Sequence, residues 1–173
     1  VSAARRHFAL YGFERTTVRG IAAEAGVNVA LISRYFGGKE ELFARAVAID
    51  LELPDLSSVP KDHLGKRLIE HFFKRWEGNE ADDLLRVLVR TAATNPIAAE
   101  KVSAILHNQI IPMVTRIAGD KDAQRRASLV ATQILGLAYC RYVLNLSDDY
   151  LAPQQAIGAI GETVQRYLLS DLP

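Results

Sequence analysis

The stretch from Asn28 to Phe36, "NVALISRYF", carries residue types suited to reading a nucleic-acid groove on one short helix. At about 3.6 residues per turn, Ile32 and Phe36 share a face and close over Phe8, Ile21 and Val27 as core. Ala30 and Arg34 fall opposite, with Val29 and Ser33 beside them, so solvent meets a small apolar patch edged by Arg and Ser. Water solvates such a patch poorly, but the major groove of duplex DNA suits it. There Val29 and Ala30 touch thymine methyls, and Arg34 reaches a guanine or a phosphate. Lys39 is an independent sign, because a lysine in the first turn of a helix opposes the helix dipole, whereas Glu40 and Glu41 suit that position. A DNA phosphate resting on Lys39 and on the free N–H groups of that helix start offsets the mismatch.

Other chemistries fare worse. His63 and His71 lie eight residues apart, with Glu70 beside the second, and no zinc-type spacing appears. No serine sits in the strand-turn-helix context of a nucleophile elbow. The one cysteine, Cys140, lies in an apolar run, where it forms no internal disulfide and reads as a buried structural thiol in a reducing cytoplasm. The pattern therefore predicts neither an enzyme nor a metal or cofactor site. With 21 Lys plus Arg against 20 Asp plus Glu, a net charge of +1 excludes a global field for nucleic acid or membrane, so any basic footprint is local. Residues 1–36 hold Arg5, Arg6, Arg15, Arg19 and Arg34 against Glu14 and Glu24, five minus two, or +3. No long charge-free apolar stretch and no signal-peptide layout is present, which predicts a soluble, cytoplasmic chain without a membrane partner. The chain opens inside a helical pattern, so further residues are expected before Val1.

Helical periodicity dominates and predicts an all-α protein. A first helix carries Ala4, Phe8 and Tyr11 and stops at Gly12; Thr16 or Thr17 caps a second, through Ala25; Gly26 turns and Asn28 caps the third; a fourth runs from Lys39 to about Leu51. "LPDLSSVP" marks the boundary between an N-terminal domain, 1–50, and a second domain, 51–173, with helices near 61–77, 81–94, 96–118, 121–146 and 153–169. The short helices around Gly26 make a helix-turn-helix, whose second helix enters the major groove. The competing reading is a helical hairpin of an adaptor that touches only protein, with Arg34 and Lys39 merely solvated. Steeply salt-dependent binding to duplex DNA separates the two.

"TTVRGIAAEAGVNVALISRYFGGKEELF" resembles the DNA-binding signature of TetR-type transcriptional regulators, and "AARRHFALYGF" fits the same pattern with His7 where an aliphatic residue is usual. The remainder, particularly "GLAYCRYVLNL", is similar to the family's helical regulatory domain in actinobacterial members. The resemblance implies phosphate contacts from Thr17, Ser33, Tyr35 and Lys39, and base contacts from Val29, Ala30 and Arg34. It also implies a homodimer on a palindromic DNA operator, released by a small-molecule effector. Two departures stand out: Ser33 replaces the usual Tyr, and Gly20 replaces the usual acidic residue, leaving the capping box from Thr17 incomplete.

The resemblance implies an effector pocket in the second domain, and Phe72 and Trp76 with the polar His107 and Asn108 are its candidates; the competing reading makes the aromatics ordinary core and gives the polar groups backbone partners. The helix from Ala127 to Leu146 is apolar almost all round, and Gly158 and Gly161 permit close approach by another helix. Together they predict a homodimer through the last two helices, as the resemblance also implies; the competing reading is a monomer that covers both faces internally.

Overall fold

A computed structural model describes residues 1–78, 84–119, 121–147 and 151–172. Every regular element among them is helical: α1 Ser2–Arg15, α2 Val18–Ala25, α3 Val29–Phe36, α4 Lys39–Ala46, α5 Leu64–Glu77, α6 Leu84–Ala92, α7 Pro96–Ile105, α8 Ile111–Ala118, α9 Ala123–Tyr142 and α10 Pro153–Leu169. The expected all-α class holds. The helix start near 81, Asp120 of the "GDKD" turn, and 148–150 of the loop before α10 lie outside the described residues. Two compact units form, one from the described residues of Val1–Ile49 and Asn79–Ser103, the other from those of Asp50–Gly78 and Ala104–Pro173.

The first unit is built on aromatic packing. Phe43 meets Phe8 and Phe13 edge-on, each with ring centroids 4.9 Å apart. Phe13 reaches this cluster because Gly12 breaks α1 with φ of 72°, which a side chain disfavours, and one more helical turn follows. The buried Thr16 hydroxyl donates to the carbonyls of Gly12 at 2.7 Å and His7 at 3.0 Å, which pins the break. Arg5 Nη1 donates to the Ala46 carbonyl at 2.6 Å and ties α1 to α4. α6 packs against α1 and so joins this unit, although it follows the connector at 54–60 in sequence.

In the second unit α5 and α10 approach backbone to backbone. A Cβ at Gly65 would lie 2.2 Å from the Gly161 carbonyl oxygen, and one at Gly161 would lie 3.0 Å from Lys66 Cα. Gly161 therefore serves α5 of its own chain rather than a second copy, which corrects the role expected of it; Gly158 meets nothing within 4 Å. Gln165 locks the contact, accepting the Gly65 N–H at 2.8 Å and donating to the Lys61 carbonyl at 2.6 Å.

Two helices differ from expectation for local reasons. The single helix expected over 96–118 is interrupted by a π turn at Leu106–Ile110. Pro112, at the start of α8, has no N–H to donate, and the wider turn accommodates the missing bond. α4 stops at Ala46 rather than near Leu51. Beyond it the backbone bonds to side chains: Gln109 Oε1 accepts the Leu51 N–H at 2.8 Å, and the Leu51 and Asp50 carbonyls lie within hydrogen-bond reach of His71 Nε2 and Arg75.

Candidate nucleic-acid interface

Three caps fix the turn between α2 and α3. Thr17 Oγ1 accepts the Gly20 N–H at 3.1 Å and starts α2. Gly26 ends it in the left-handed conformation, φ 65° and ψ 30°. Asn28 Oδ1 then accepts the Ala30 N–H at 2.8 Å and starts α3. An eight-residue helix is marginal alone, and α3 gains its anchorage from Ile32, 5% exposed, and the half-buried Phe36. Val27, expected in that core, is instead 42% exposed. It belongs to the turn, where no helical face carries it inward.

The outward side of α3 holds the residues expected to read DNA. Ala30, Ser33 and Arg34 are exposed, as are Val29 at 37% and Tyr35 at 68%. Thr17 is also exposed, one helix earlier, with its hydroxyl oxygen engaged as a cap. Arg15 and Arg19 are exposed too; sequence counted their charge without giving them a role, although Arg19 lies in the first turn of α2 beside Thr17. Lys39 differs from expectation. Its Nζ donates to the Glu14 carbonyl at 3.1 Å and lies 4.5 Å from the Phe13 ring centroid, so protein groups already offset part of its misplacement on the dipole.

Gly20 and His7, the two unusual residues of this unit, explain each other. A Cβ at Gly20 would come within 3.1 Å of the His7 ring and 3.2 Å of Thr17 Oγ1. His7 Nε2 in turn meets Glu24 Oε2 at 2.7 Å, and Glu24 also pairs with Arg6. A larger side chain at position 20 would displace the imidazole from this cluster.

The expected ligand residues are split. Phe72 and Trp76 are buried and line a narrow apolar cavity of about 50 Å³, together with Leu51, Leu53, Leu68 and His71. His107 and Asn108 are exposed on the π turn and do not line it, a correction to the expected set. The widened turn brings Ile110 to the cavity and Gln109 to Leu51 instead, a rotation that a straight-helix reading misses. Behind the cavity Trp76 stacks on Tyr142 at 5.0 Å and 7°. The Tyr142 hydroxyl donates to Glu77 at 2.8 Å; burial first, then that carboxylate, push the phenol above its ordinary range. Cys140, expected buried, is exposed on α9. The described residues hold no group of three His, Cys, Asp or Glu able to bind a metal, and no helix long and apolar enough to cross a membrane.

Comparisons with known proteins bear on both units. Residues 1–46 match the family model described as bacterial regulatory proteins, tetR family, and residues 62–168 match that described as tetracyclin repressor-like, C-terminal domain. Over 43 residues the chain is 51% identical to the HTH-type transcriptional dual regulator CecR of Shigella flexneri, a match spanning 25% of this chain and 19% of that protein. A crystal structure of a TetR-family regulator from Streptomyces coelicolor A3 shares 29% identity and a TM-score of 0.57, covering 96% of this chain and 91% of that one. A transcriptional regulator from Rhodococcus sp. Rha1, 23% identical, has a TM-score of 0.63 over 99% of this chain and 96% of that one, a likeness of fold alone.

Proposed function

Because the chain belongs to the TetR family, we propose that it is a sequence-specific DNA-binding transcriptional regulator, a homodimeric repressor released from a palindromic operator by a small hydrophobic effector. Residues 1–50 carry DNA binding, and 51–173 carry regulation and dimerisation. One observation carries the reading: α3 is capped at both ends and anchored by Ile32, yet turns Val29, Ala30, Ser33, Arg34 and Tyr35 outward. A short helix with that face suits a groove better than bulk water. Val29 and Ala30 supply methyl contacts to bases, Arg34 a guanine contact, and Thr17, Ser33, Tyr35 and Lys39 positioning contacts to phosphates.

The dimer reading is supported by α9, where Leu135 and Tyr139 are 38% and 40% exposed beside Gly136, and by the open Gly158 on α10. Covering such a stripe with a second copy removes it from water. The effector reading rests on the Phe72 and Trp76 cavity. Its wall includes Leu51 and Leu53, residues the chain reaches soon after α4. Repacking that wall is a route by which ligand binding changes operator binding, and the coupling is reciprocal. No catalytic residue is proposed, and the protein works in the cytoplasm.

Selection of bound duplexes from a random library tests this. The expected product is a pseudo-palindrome with half-sites about one helical turn, or a multiple, apart. Val29→Ala is expected to change preference at one position per half-site. Failure to enrich any site, or binding without salt dependence, leaves the adaptor reading in place.

A further inference from the structure

The second unit contains another, larger cavity, of about 260 Å³, between the connector at 54–61 and the ends of α8 and α10. Its floor is apolar, with Leu64 and Ile117 among its lining, while Lys61 and Arg116 stand at it as cations. Among the described residues neither the Arg116 guanidinium nor Lys61 Nζ makes a close hydrogen bond or ion pair, although the Asp55 carboxylate lies near enough to feel the Arg116 charge. Asp55 lines the same cavity; its Oδ1 accepts the Ser57 N–H at 2.9 Å, and that bond first, with a smaller contribution from the Arg116 charge, holds its carboxyl below the usual range. Two positive charges thus stand against one carboxylate, and the cavity carries an excess of one positive charge.

This outer cavity and the Phe72 and Trp76 cavity share one lining residue, Met113. Apolar rows connect them on both sides. On α5, Leu64 lines the outer cavity, and Leu68 and Phe72, four and eight residues on, line the inner one. On the facing segment Ile117 is outer, Met113 is common and Ile110 is inner. Spacings of three and four residues keep each row on one helix face, so both rows run along a single track. At about 1.5 Å per residue, that track extends roughly 18 Å along α5 from Leu64 to Trp76. Its interruption is a buried methionine, the side chain most able to change rotamer without backbone movement.

We infer that the two cavities are the head and tail halves of one site for an unbranched amphipathic carboxylate, its anionic head at Arg116 and Lys61 and its chain passing Met113 to lie against Phe72 and Trp76. The inner space, about 50 Å³, suits a single alkyl chain better than a fused ring system, and Met113 is the shared side chain past which that chain would run. This rests on the reading of the inner cavity as the effector site and names the class of effector.

Titration of the full chain with sodium dodecanoate and with 1-dodecanol, below micelle formation, tests the inference by calorimetry and by emission of Trp76, the sole tryptophan. Dodecanoate is expected to bind once per chain, to change Trp76 emission, and to bind about tenfold more tightly than the alcohol, the effect of one charge-assisted pair. Arg116→Gln, at an exposed position, removes that advantage and leaves the alcohol unchanged. Met113→Phe, a stiff ring across the track, suppresses the Trp76 response. Equal binding of acid and alcohol, indifferent to Arg116, refutes the anionic head but leaves the effector cavity standing. Arg116-dependent binding with silent Trp76 emission refutes the continuous track, and no binding of either compound refutes the site outright. Binding as expected, with no change in affinity for the selected operator, establishes the site and removes the effector reading instead.

Discussion

Adding one methyl group at Gly65 is expected to destabilise the protein by forcing α5 and α10 apart. The new Cβ meets the Gly161 carbonyl oxygen at 2.2 Å, the Gln165 nitrogen at 2.5 Å and Gln165 Cα at 2.9 Å. All three atoms are backbone, so no side-chain rotation relieves the overlap. α10 must withdraw by roughly 1 Å to reach ordinary contact, an overpacking that costs about 1–3 kcal/mol. The withdrawal also stretches the two Gln165 hydrogen bonds, to the Gly65 N–H and the Lys61 carbonyl, each contributing about 0.5–1.5 kcal/mol. Against this, alanine is the better helix former by about 1 kcal/mol. The net expectation is a loss of about 2–4 kcal/mol, which for a chain of this size lowers Tm by roughly 5–15 °C. Thermal unfolding followed by circular dichroism measures it, with protein concentration held fixed because the proposed dimerisation would make Tm depend on it. Gly158→Ala is the intrachain control: its Cβ meets no atom of its own chain within 4 Å, so in protein dilute enough to be monomeric Tm should move by no more than the equivalent of about 1 kcal/mol. An unchanged or raised Tm for Gly65→Ala would show that α5 and α10 do not touch through these glycines.

Three further expectations follow from other contacts. Lys39→Ala should weaken binding to all duplexes alike and make the slope of log K against log salt shallower by about 1; an unaltered slope would mean that the Glu14 carbonyl and the Phe13 ring account for the whole role of Lys39. Gly20→Glu, which supplies the acidic residue of a complete capping box, should destabilise because His7 occupies the space, whereas Gly20→Glu combined with His7→Leu should recover stability; additive effects in a double-mutant cycle would separate the two residues. Tyr142 has a phenol raised in the folded state above its unfolded value, so the stability it contributes is fully present below about pH 10 and is lost as pH rises beyond it. Tyr142→Phe should flatten the alkaline limb of a denaturant-midpoint profile; an identical limb in both proteins would remove the buried Tyr142 phenol as its cause.

The local elements were legible because their determinants are local. Thr17, Gly26 and Asn28 act on backbone groups within four residues of themselves, so the turn and both helix starts follow from residue type and spacing. The outward side of α3 follows from helical periodicity once Ile32 is assigned inward. What sequence left open was which neighbour each side chain meets. Gly161 reads as a helix-contact residue, but whether α5 or a second copy fills the space depends on Gly65, almost a hundred positions away. Lys39 reads as a cation short of a partner, yet its partners are a carbonyl and a ring brought near by the break at Gly12. His107 and Asn108 follow apolar residues closely enough to read as lining a pocket; the π turn set by Pro112 carries them outward and sends Gln109 to the connector instead. Periodicity and capping are properties of a segment. Burial and partnership are decided only when distant segments close on one another, because dispersion contacts and hydrogen bonds act over a few ångströms of space, whatever the separation along the chain.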